Sequence, residues 1–261
     1  MSDSLDQGAL IVNLLKAIKI LNPKDEISRN SIASYLYVPD TRISGHLQEL
    51  KDYILIKSPT DTQRKNAGNL LEKIVALTFC GLRGLTSIKS FCSASCQYDL
   101  LVSGDTEEWE PLYRLLYMKD NQRDIVIEAK CTKAKVNDQQ FARLCSLMEV
   151  NLFTTTGLGI FFTLNGATGF PKRGQTERQQ KLSDARLRQA LFHARTGKTV
   201  VVLDAQDIFE LDKPASLIQI LTRKIRDVEH LSGLVTEPCS DIFTPDLPSH
   251  LAPIISHLQG S

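Results

Sequence analysis

The segment RDIVIEAKCT, Arg123 to Thr132, decides the fold because a strand-like apolar run ends there in two charged side chains. Its β-branched core, Ile125 to Ile127, is typical of an interior strand. Side chains alternate along a strand, so Glu128 and Lys130 project to one face and Ala129 to the other. The sequence therefore predicts that an acid and a base are neighbours at the edge of a sheet.

A second acid lies in the preceding apolar segment YDLLV, which begins at Tyr98 and contains Asp99. Hairpin pairing across residues 103–123 is expected to bring Asp99 beside Glu128. Burying an isolated carboxylate is costly, so two carboxylates in apolar strands imply a compensating cation. Hard oxygen ligands favour Mg²⁺, which typically binds one or two carboxylates, waters and a substrate phosphate. We therefore expect a magnesium site, with Lys130 close to the water shell of the ion.

The surrounding pattern predicts an α/β sandwich with a mixed sheet. One helix, at residues 184–197, lies between two apolar strands, which favours a parallel βαβ return. The predicted elements are helix 66–82, strands 86–95, 98–104 and 124–130, helix 138–152, strand 158–166, helix 184–197 and strand 198–208.

Three short helical patterns precede this region. Apolar residues recur at helical spacing over residues 10–18, and Asn22-Pro23 ends that helix. A second helix is expected to run to Leu36, followed by a turn at residues 37–40 and a third helix. The third helix is expected to face inward with Ile43, Leu47 and Leu50 and outward with Arg42, Ser44, His46 and Gln48.

This helical order resembles a winged helix-turn-helix module. The segment YILIKSPTDTQR, residues 53–64, is expected to supply a strand and a short basic wing. The resemblance implies that the third helix enters the major groove of DNA, where Arg42, Ser44 and His46 contact base edges. Small three-helix packings also serve as protein-interaction or dimerisation modules, so both roles stay open.

The chain resembles the PD-(D/E)xK nuclease superfamily, which has the restriction-endonuclease-like fold, in two respects. It has Asp99 followed by the triplet Glu128-Ala129-Lys130, and its predicted elements come in the family's order of helix, three strands, helix and strand. The resemblance covers residues 66–227. The chain departs from the pattern at Tyr98, where the motif name has proline. The resemblance implies an α/β/α core around a mixed sheet.

Further residues match parts of that family pattern. Glu72 matches an extra acid in the helix before the first strand, and Gln139 or Gln140 matches a glutamine of the Mrr-like restriction and Holliday-junction-type branches. The resemblance implies a metal-dependent phosphodiesterase. In the roles that the resemblance implies, Asp99, Glu128 and the Ala129 carbonyl bind the metal ion, and Lys130 orients the water and stabilises charge. Glu72 positions the lysine or a second ion. Gln139 or Gln140 steadies the substrate or the outer waters of the metal ion. Mn²⁺ is expected to substitute for Mg²⁺.

Charge is spread unevenly along the chain. The formal net charge is +1, yet the segment from Lys172 to Lys198 holds eight Lys or Arg against two acids. This basic segment favours contact with a phosphate backbone, with Lys172 and Arg173 as predicted DNA contacts. A solvated helix face and loop is the alternative.

The length and composition of the chain limit the number and size of its domains. With 261 residues, 42% of them hydrophobic, the chain can bury one sizeable core and a small second module. We predict a helix-turn-helix module at residues 1–61, a nuclease domain at 62–230 and a proline-containing tail at 231–261. The acidic start and the lack of a long apolar stretch predict a cytoplasmic protein without membrane contact. Six scattered cysteines are expected to be reduced thiols.

The predicted function is that of a Mg²⁺-dependent endonuclease acting on double-stranded DNA, in restriction or phage defence. A homodimer is expected, because one site acts on one strand at a time. One alternative is a DNA-binding regulator or assembly subunit with a non-cutting nuclease-like scaffold, and another is an effector nuclease controlled by a protein or signal molecule. The expected dimer contacts are the apolar tail residues Leu251, Ile254, Ile255 and Leu258.

Overall fold

A computed structural model describes residues 26–92, 97–170 and 184–232. The predicted helix at residues 10–18 and the tail from residue 233 lie outside these ranges. In chain order the elements are α1 (Glu26–Leu36), α2 (Ile43–Ile54), α3 (Asp61–Cys80), β1 (Leu85–Cys92), β2 (Gln97–Gly104), α4 (Trp109–Leu115), β3 (Asp124–Lys130), α5 (Asp138–Ser146) with a following π-helical turn (Leu147–Asn151), β4 (Thr156–Thr163), α6 (Asp184–Thr196), β5 (Thr199–Leu203), α7 (Ala205–Ile208) and α8 (Ser216–Ser232).

The five strands form one mixed sheet whose order, β1-β2-β3-β4-β5, follows the chain. β1 pairs with β2 and β2 with β3 in antiparallel fashion, whereas β3, β4 and β5 run parallel. The predicted α/β class and mixed sheet are confirmed. The predicted bounds of β3 match the structure, because a run of β-branched residues with sharp polar ends leaves little freedom in where such a strand begins and ends.

The alternation along β3 divides the core into two layers. Ile125 and Ile127 face one side of the sheet, where they join buried residues of α3, α4 and α8. Val126 faces the other side and packs with buried residues of α5 and α6. Because side chains two residues apart share a face, Glu128 continues the Val126 side, beneath α5.

Helices α1 and α2 pack into the first of these layers. The predicted inward residues of α2, Ile43, Leu47 and Leu50, are all buried. They belong to the same apolar cluster as Ile125 of the sheet. Buried Tyr37, between the two helices, donates a 2.5 Å hydrogen bond from its hydroxyl to the carbonyl of Leu211. Residue 61, the predicted boundary between the two modules, is the first residue of α3. The described residues on its two sides share one apolar core.

The predicted wing is wrong. Residues 53–64 form the end of α2, a short link and the first turn of α3 instead of a strand. The reason is a capping box: Thr60 accepts a hydrogen bond from the Gln63 amide at 3.2 Å, while the Gln63 side chain accepts one from the Thr60 amide at 2.8 Å. This Thr-x-x-Gln pattern starts α3 five residues before the predicted helix.

Helix α3 has 20 residues, but its surface carries charged side chains, including Arg64 and Lys73. Of the helices within the described ranges, none combines the length and apolar character that crossing a bilayer requires.

The close approach of β2 to α4 gives a stability prediction. A Cβ atom at Gly104 would overlap the ring of buried Trp109 and lie 2.5 Å from the carbonyl oxygen of Gly84. Gly104→Ala is therefore expected to lower the free energy of unfolding by about 2–3 kcal/mol. The control is Gly45→Ala on α2, where no atom lies within 4 Å of the added methyl group; it is expected to stabilise by about 0.5–1 kcal/mol. Urea unfolding measures both, and equal stability of Gly104→Ala and wild type would contradict the packing.

Candidate active site

The pairing of β2 with β3 brings two acids together. The paired register ends at Leu100 opposite Ile127, and continuing it by one residue sets Asp99 opposite Glu128. Side chains of directly opposed residues share one face of the sheet. Asp99 also accepts a 2.5 Å hydrogen bond from the backbone N–H of Ala129 to its Oδ2 atom. The structure therefore places the two carboxylates beside each other.

Glu128 is a buried charge with two cations around it. Only 1% of the residue is exposed. Its Oε1 atom forms an ion pair with Arg143, and its Oε2 atom lies 3.1 Å from the Nζ atom of Lys130. Burial raises the pKa of Glu128; the charge of Lys130 opposes this rise and that of Asp99 reinforces it. The two cations therefore compensate the cost of burying the ionised carboxylate.

Arg143 is the residue that sequence reasoning missed. It lies on α5, which covers the face of the sheet to which Glu128 points. Its side chain contacts Glu128 while 48% of that side chain stays exposed to solvent. Glu128 and Arg143 are separated by 15 residues, and no short motif spans that interval. Only the packing of α5 onto β3 creates this contact.

The two predicted glutamines begin α5 and have different environments. Gln140 closes a capping box with Asn137: the Gln140 amide donates to the Asn137 side chain at 3.0 Å, and the Gln140 side chain accepts from the Asn137 amide at 3.1 Å. Gln139 is exposed. Within the described residues neither glutamine is hydrogen-bonded to the paired acids or to Lys130. The capping box accounts for the presence of a glutamine at position 140. A contact of Gln139 or Gln140 with substrate stays a prediction.

Glu72 is exposed on α3. The buried residues of α3 join the apolar layer of Ile125 and Ile127, on the sheet face opposite to that of Glu128. In the described ranges no three His, Cys, Asp or Glu side chains form a group suited to a metal ion. Glu72 therefore does not form such a group with Asp99 and Glu128, and its predicted role stays a prediction.

The donor chemistry of the site fits Mg²⁺. Asp99 and Glu128 offer carboxylate oxygens, and a strand residue directs its N–H and C=O to the same side, so the Ala129 carbonyl faces Asp99 as its N–H does. Two carboxylates and a carbonyl leave room for the waters and phosphate oxygens that complete an octahedral shell. A metal ion would have to compete for Glu128 with the cations that already contact it.

The residues predicted to contact DNA from α2 each face an acid. Arg42 donates two hydrogen bonds to Asp40, at 2.7 and 2.8 Å, and this guanidinium holds the pKa of Asp40 well below its usual range. The Ser44 hydroxyl lies 3.5 Å from Asp212, and His46 lies 3.4 Å from Glu49. DNA would have to exchange these contacts for its own. The other two predicted contacts, Lys172 and Arg173, lie outside the described residues.

A cavity of about 450 Å³ lies beside the carboxyl ends of β4 and β5, between α6 and α8. It contains Arg223 and Lys224, but both contact buried Asp207, at 2.9 and 2.7 Å. Both cations of the cavity are thus already held by an acid of the chain.

Comparisons of the chain with protein-family models, with curated proteins and with solved structures each found no match. The chemistry of the site therefore rests on its own residues and their geometry.

Because α3, which carries Glu72, covers the sheet face opposite to that of Glu128, the acids Asp99 and Glu72 give a metal-binding prediction. Asp99→Asn is expected to weaken Mn²⁺ binding by at least about tenfold, because it removes a charged oxygen ligand. Glu72→Gln, the matched control on α3, is expected to change the affinity by less than about twofold. Titration calorimetry measures both, with circular dichroism to confirm folding. An equal loss of Mn²⁺ affinity in Glu72→Gln would show that Glu72 also contributes to the metal site.

Proposed function

We propose that this chain is a metal-dependent phosphodiesterase that cleaves DNA internally. The observation that carries the proposal is the pairing of Asp99 with Glu128 on adjacent strands, with the Lys130 ammonium 3.1 Å from Glu128. An acid pair with one buried member, Glu128, and a neighbouring amine is a suitable arrangement for charge compensation during phosphoryl transfer.

In this mechanism the chain supplies metal ligands, hydrogen-bond donors and positioning. Asp99, Glu128 and the Ala129 carbonyl would hold Mg²⁺, which when bound polarises a phosphate and lowers the pKa of a coordinated water. Burial fixes the Glu128 carboxylate, so little reorganisation is needed there. The Lys130 side chain is 28% exposed and its ammonium carries three N–H donors, so it can orient the attacking water and offset charge on the phosphate.

The charge around the site favours a polyanionic substrate. Between Glu128 and Arg143 the chain carries four Lys or Arg against two acids. One of the acids, Asp138, is paired with Arg188 of α6 at 2.7 Å. Two of the four, Lys133 and Lys135, are exposed in the loop that follows β3. Such a positive loop attracts a phosphate backbone through Coulomb forces and counterion release.

Double-stranded DNA and a role in restriction or phage defence follow from the resemblance to restriction-type nucleases. One site of this kind acts on one strand, so we propose a homodimer whose two-fold axis supplies a second site of opposite polarity. The tail residues predicted to contribute to the dimer contact lie outside the described residues.

A second candidate function is a non-cutting scaffold in a DNA-binding or assembly subunit. The observation that favours it is that each oxygen of Glu128 already has a cation of the chain as its neighbour. In this alternative, Lys130 and Arg143 neutralise a structural acid permanently and no metal is required.

Cleavage of supercoiled plasmid with Mg²⁺ or Mn²⁺ distinguishes the two functions. Wild type is expected to nick or linearise the plasmid, and EDTA is expected to stop it. Asp99→Asn, Glu128→Gln and Lys130→Ala are each expected to lower the rate by at least about 100-fold, because each removes a ligand or the charge that stabilises the transition state. Arg114→Gln is the control, since Arg114 of α4 is an exposed arginine paired with Glu110.

Folded wild type that leaves the plasmid intact under all these conditions would favour the scaffold. Cleavage that persists in EDTA would contradict the role of the metal. Wild-type rates in Asp99→Asn would contradict the assignment of the site itself.

The α2 surface is tested by substitution, because deleting helices that share the core would unfold the protein. Arg42→Gln combined with His46→Gln is expected to weaken DNA binding several-fold and to reduce the slope of log K against log salt by about 1. Gel shifts at several salt concentrations measure this, with Arg114→Gln of α4, another exposed paired arginine, as the control. Unchanged affinity would favour a protein-interaction role for α2.

A further inference from the structure

Four charges of the candidate active site balance without any metal. Asp99 and Glu128 supply two negative charges, and Lys130 and Arg143 supply two positive ones. Each oxygen of Glu128 has one of the cations as its neighbour. A divalent ion that binds Glu128 would therefore enter a site that is already neutral, and one cation of the chain has to withdraw.

The two cations differ in how easily they can leave. Lys130 lies on the same strand as Glu128, two residues away, and only 28% of its side chain is exposed. Arg143 comes from α5, and 48% of its side chain is exposed. Glu128 itself is held in the sheet by the parallel register with β4, opposite Phe161. Arg143 can thus turn into solvent while the carboxylate and α5 stay in place.

We infer that Arg143 is the resident counter-ion of Glu128 and is exchanged for the divalent metal ion when the site is loaded. This inference rests on the proposed function. Without metal, Arg143 limits the repulsion between Asp99 and Glu128 and the cost of burying Glu128. In the loaded site the ion takes over both tasks. Arg143 therefore lowers the affinity for metal while it stabilises the metal-free protein.

The test measures Mn²⁺ binding and melting temperature on the full chain, and neither readout requires catalysis. The variants are Arg143→Gln, which removes the charge but keeps N–H donors, and Arg143→Lys, which keeps the charge. Arg195→Gln removes the same charge from the exposed pair with Glu149 and serves as the matched control. Electron paramagnetic resonance of free Mn²⁺ gives the affinity of each protein.

Arg143→Gln is expected to bind Mn²⁺ at least about tenfold more tightly than wild type, because no cation of α5 then competes for Glu128. Arg143→Lys is expected to stay within about threefold of wild type, since its charge still competes. In EDTA, Arg143→Gln is expected to melt about 5 °C below wild type, and saturating Mn²⁺ is expected to remove that difference. Arg195→Gln is expected to match wild type in both measurements.

Two results would overturn the inference. Folded Arg143→Gln that binds Mn²⁺ no more tightly than wild type, with the same melting deficit in EDTA and in Mn²⁺, would make Arg143 a purely structural partner. The proposed function would survive that result if wild type binds Mn²⁺ and Asp99→Asn does not. Absence of Mn²⁺ binding in both wild type and Arg143→Gln would remove the inference and the metal-dependent function together.

Discussion

The burial of the Glu128 carboxylate at the end of β3 is the constraint on which the rest of the site depends. A buried ionised acid is stable only with cations beside it, and here they come from two directions: Lys130 along the strand and Arg143 from the helix above. The same constraint fixes the register of β3, because a slip of one residue would turn Glu128 into the apolar layer beneath α3. Pairing with β2 then sets Asp99 beside it.

The two faces of the sheet have different roles. The face of Ile125 and Ile127 is covered by α3, α4 and α8 and also by the N-terminal helices α1 and α2, all in one apolar cluster. The face of Val126 and Glu128 lies under α5 and α6. The helices that resemble a DNA-binding module are therefore part of the scaffold of the sheet.

The nuclease and the scaffold functions differ in what happens to a single ion pair. If a metal ion replaces Arg143 beside Glu128, the site becomes one in which Lys130 can act on water and phosphate. If Arg143 stays, the same residues only neutralise a buried acid. The larger exposure of Arg143 than of Lys130 is the physical reason to expect the exchange at this residue. The proposed function thus depends on the balance between a protein cation and a metal cation at one carboxylate.

The sequence alone determined the features that local geometry controls. The bounds of β3, the common face of Glu128 and Lys130, and the inward side of α2 at Ile43, Leu47 and Leu50 follow from the periods of strands and helices, which the backbone imposes wherever these elements form. The Thr60-x-x-Gln63 capping signal was also present in the sequence, although the same residues had been assigned to the predicted wing. Only the tertiary structure decided that Arg143 meets Glu128, that α3, which carries Glu72, packs on the other face of the sheet, and that α1 and α2 share the core of the sheet. These relations join residues far apart in the chain, and packing between elements, which no local period encodes, brings them together or keeps them apart.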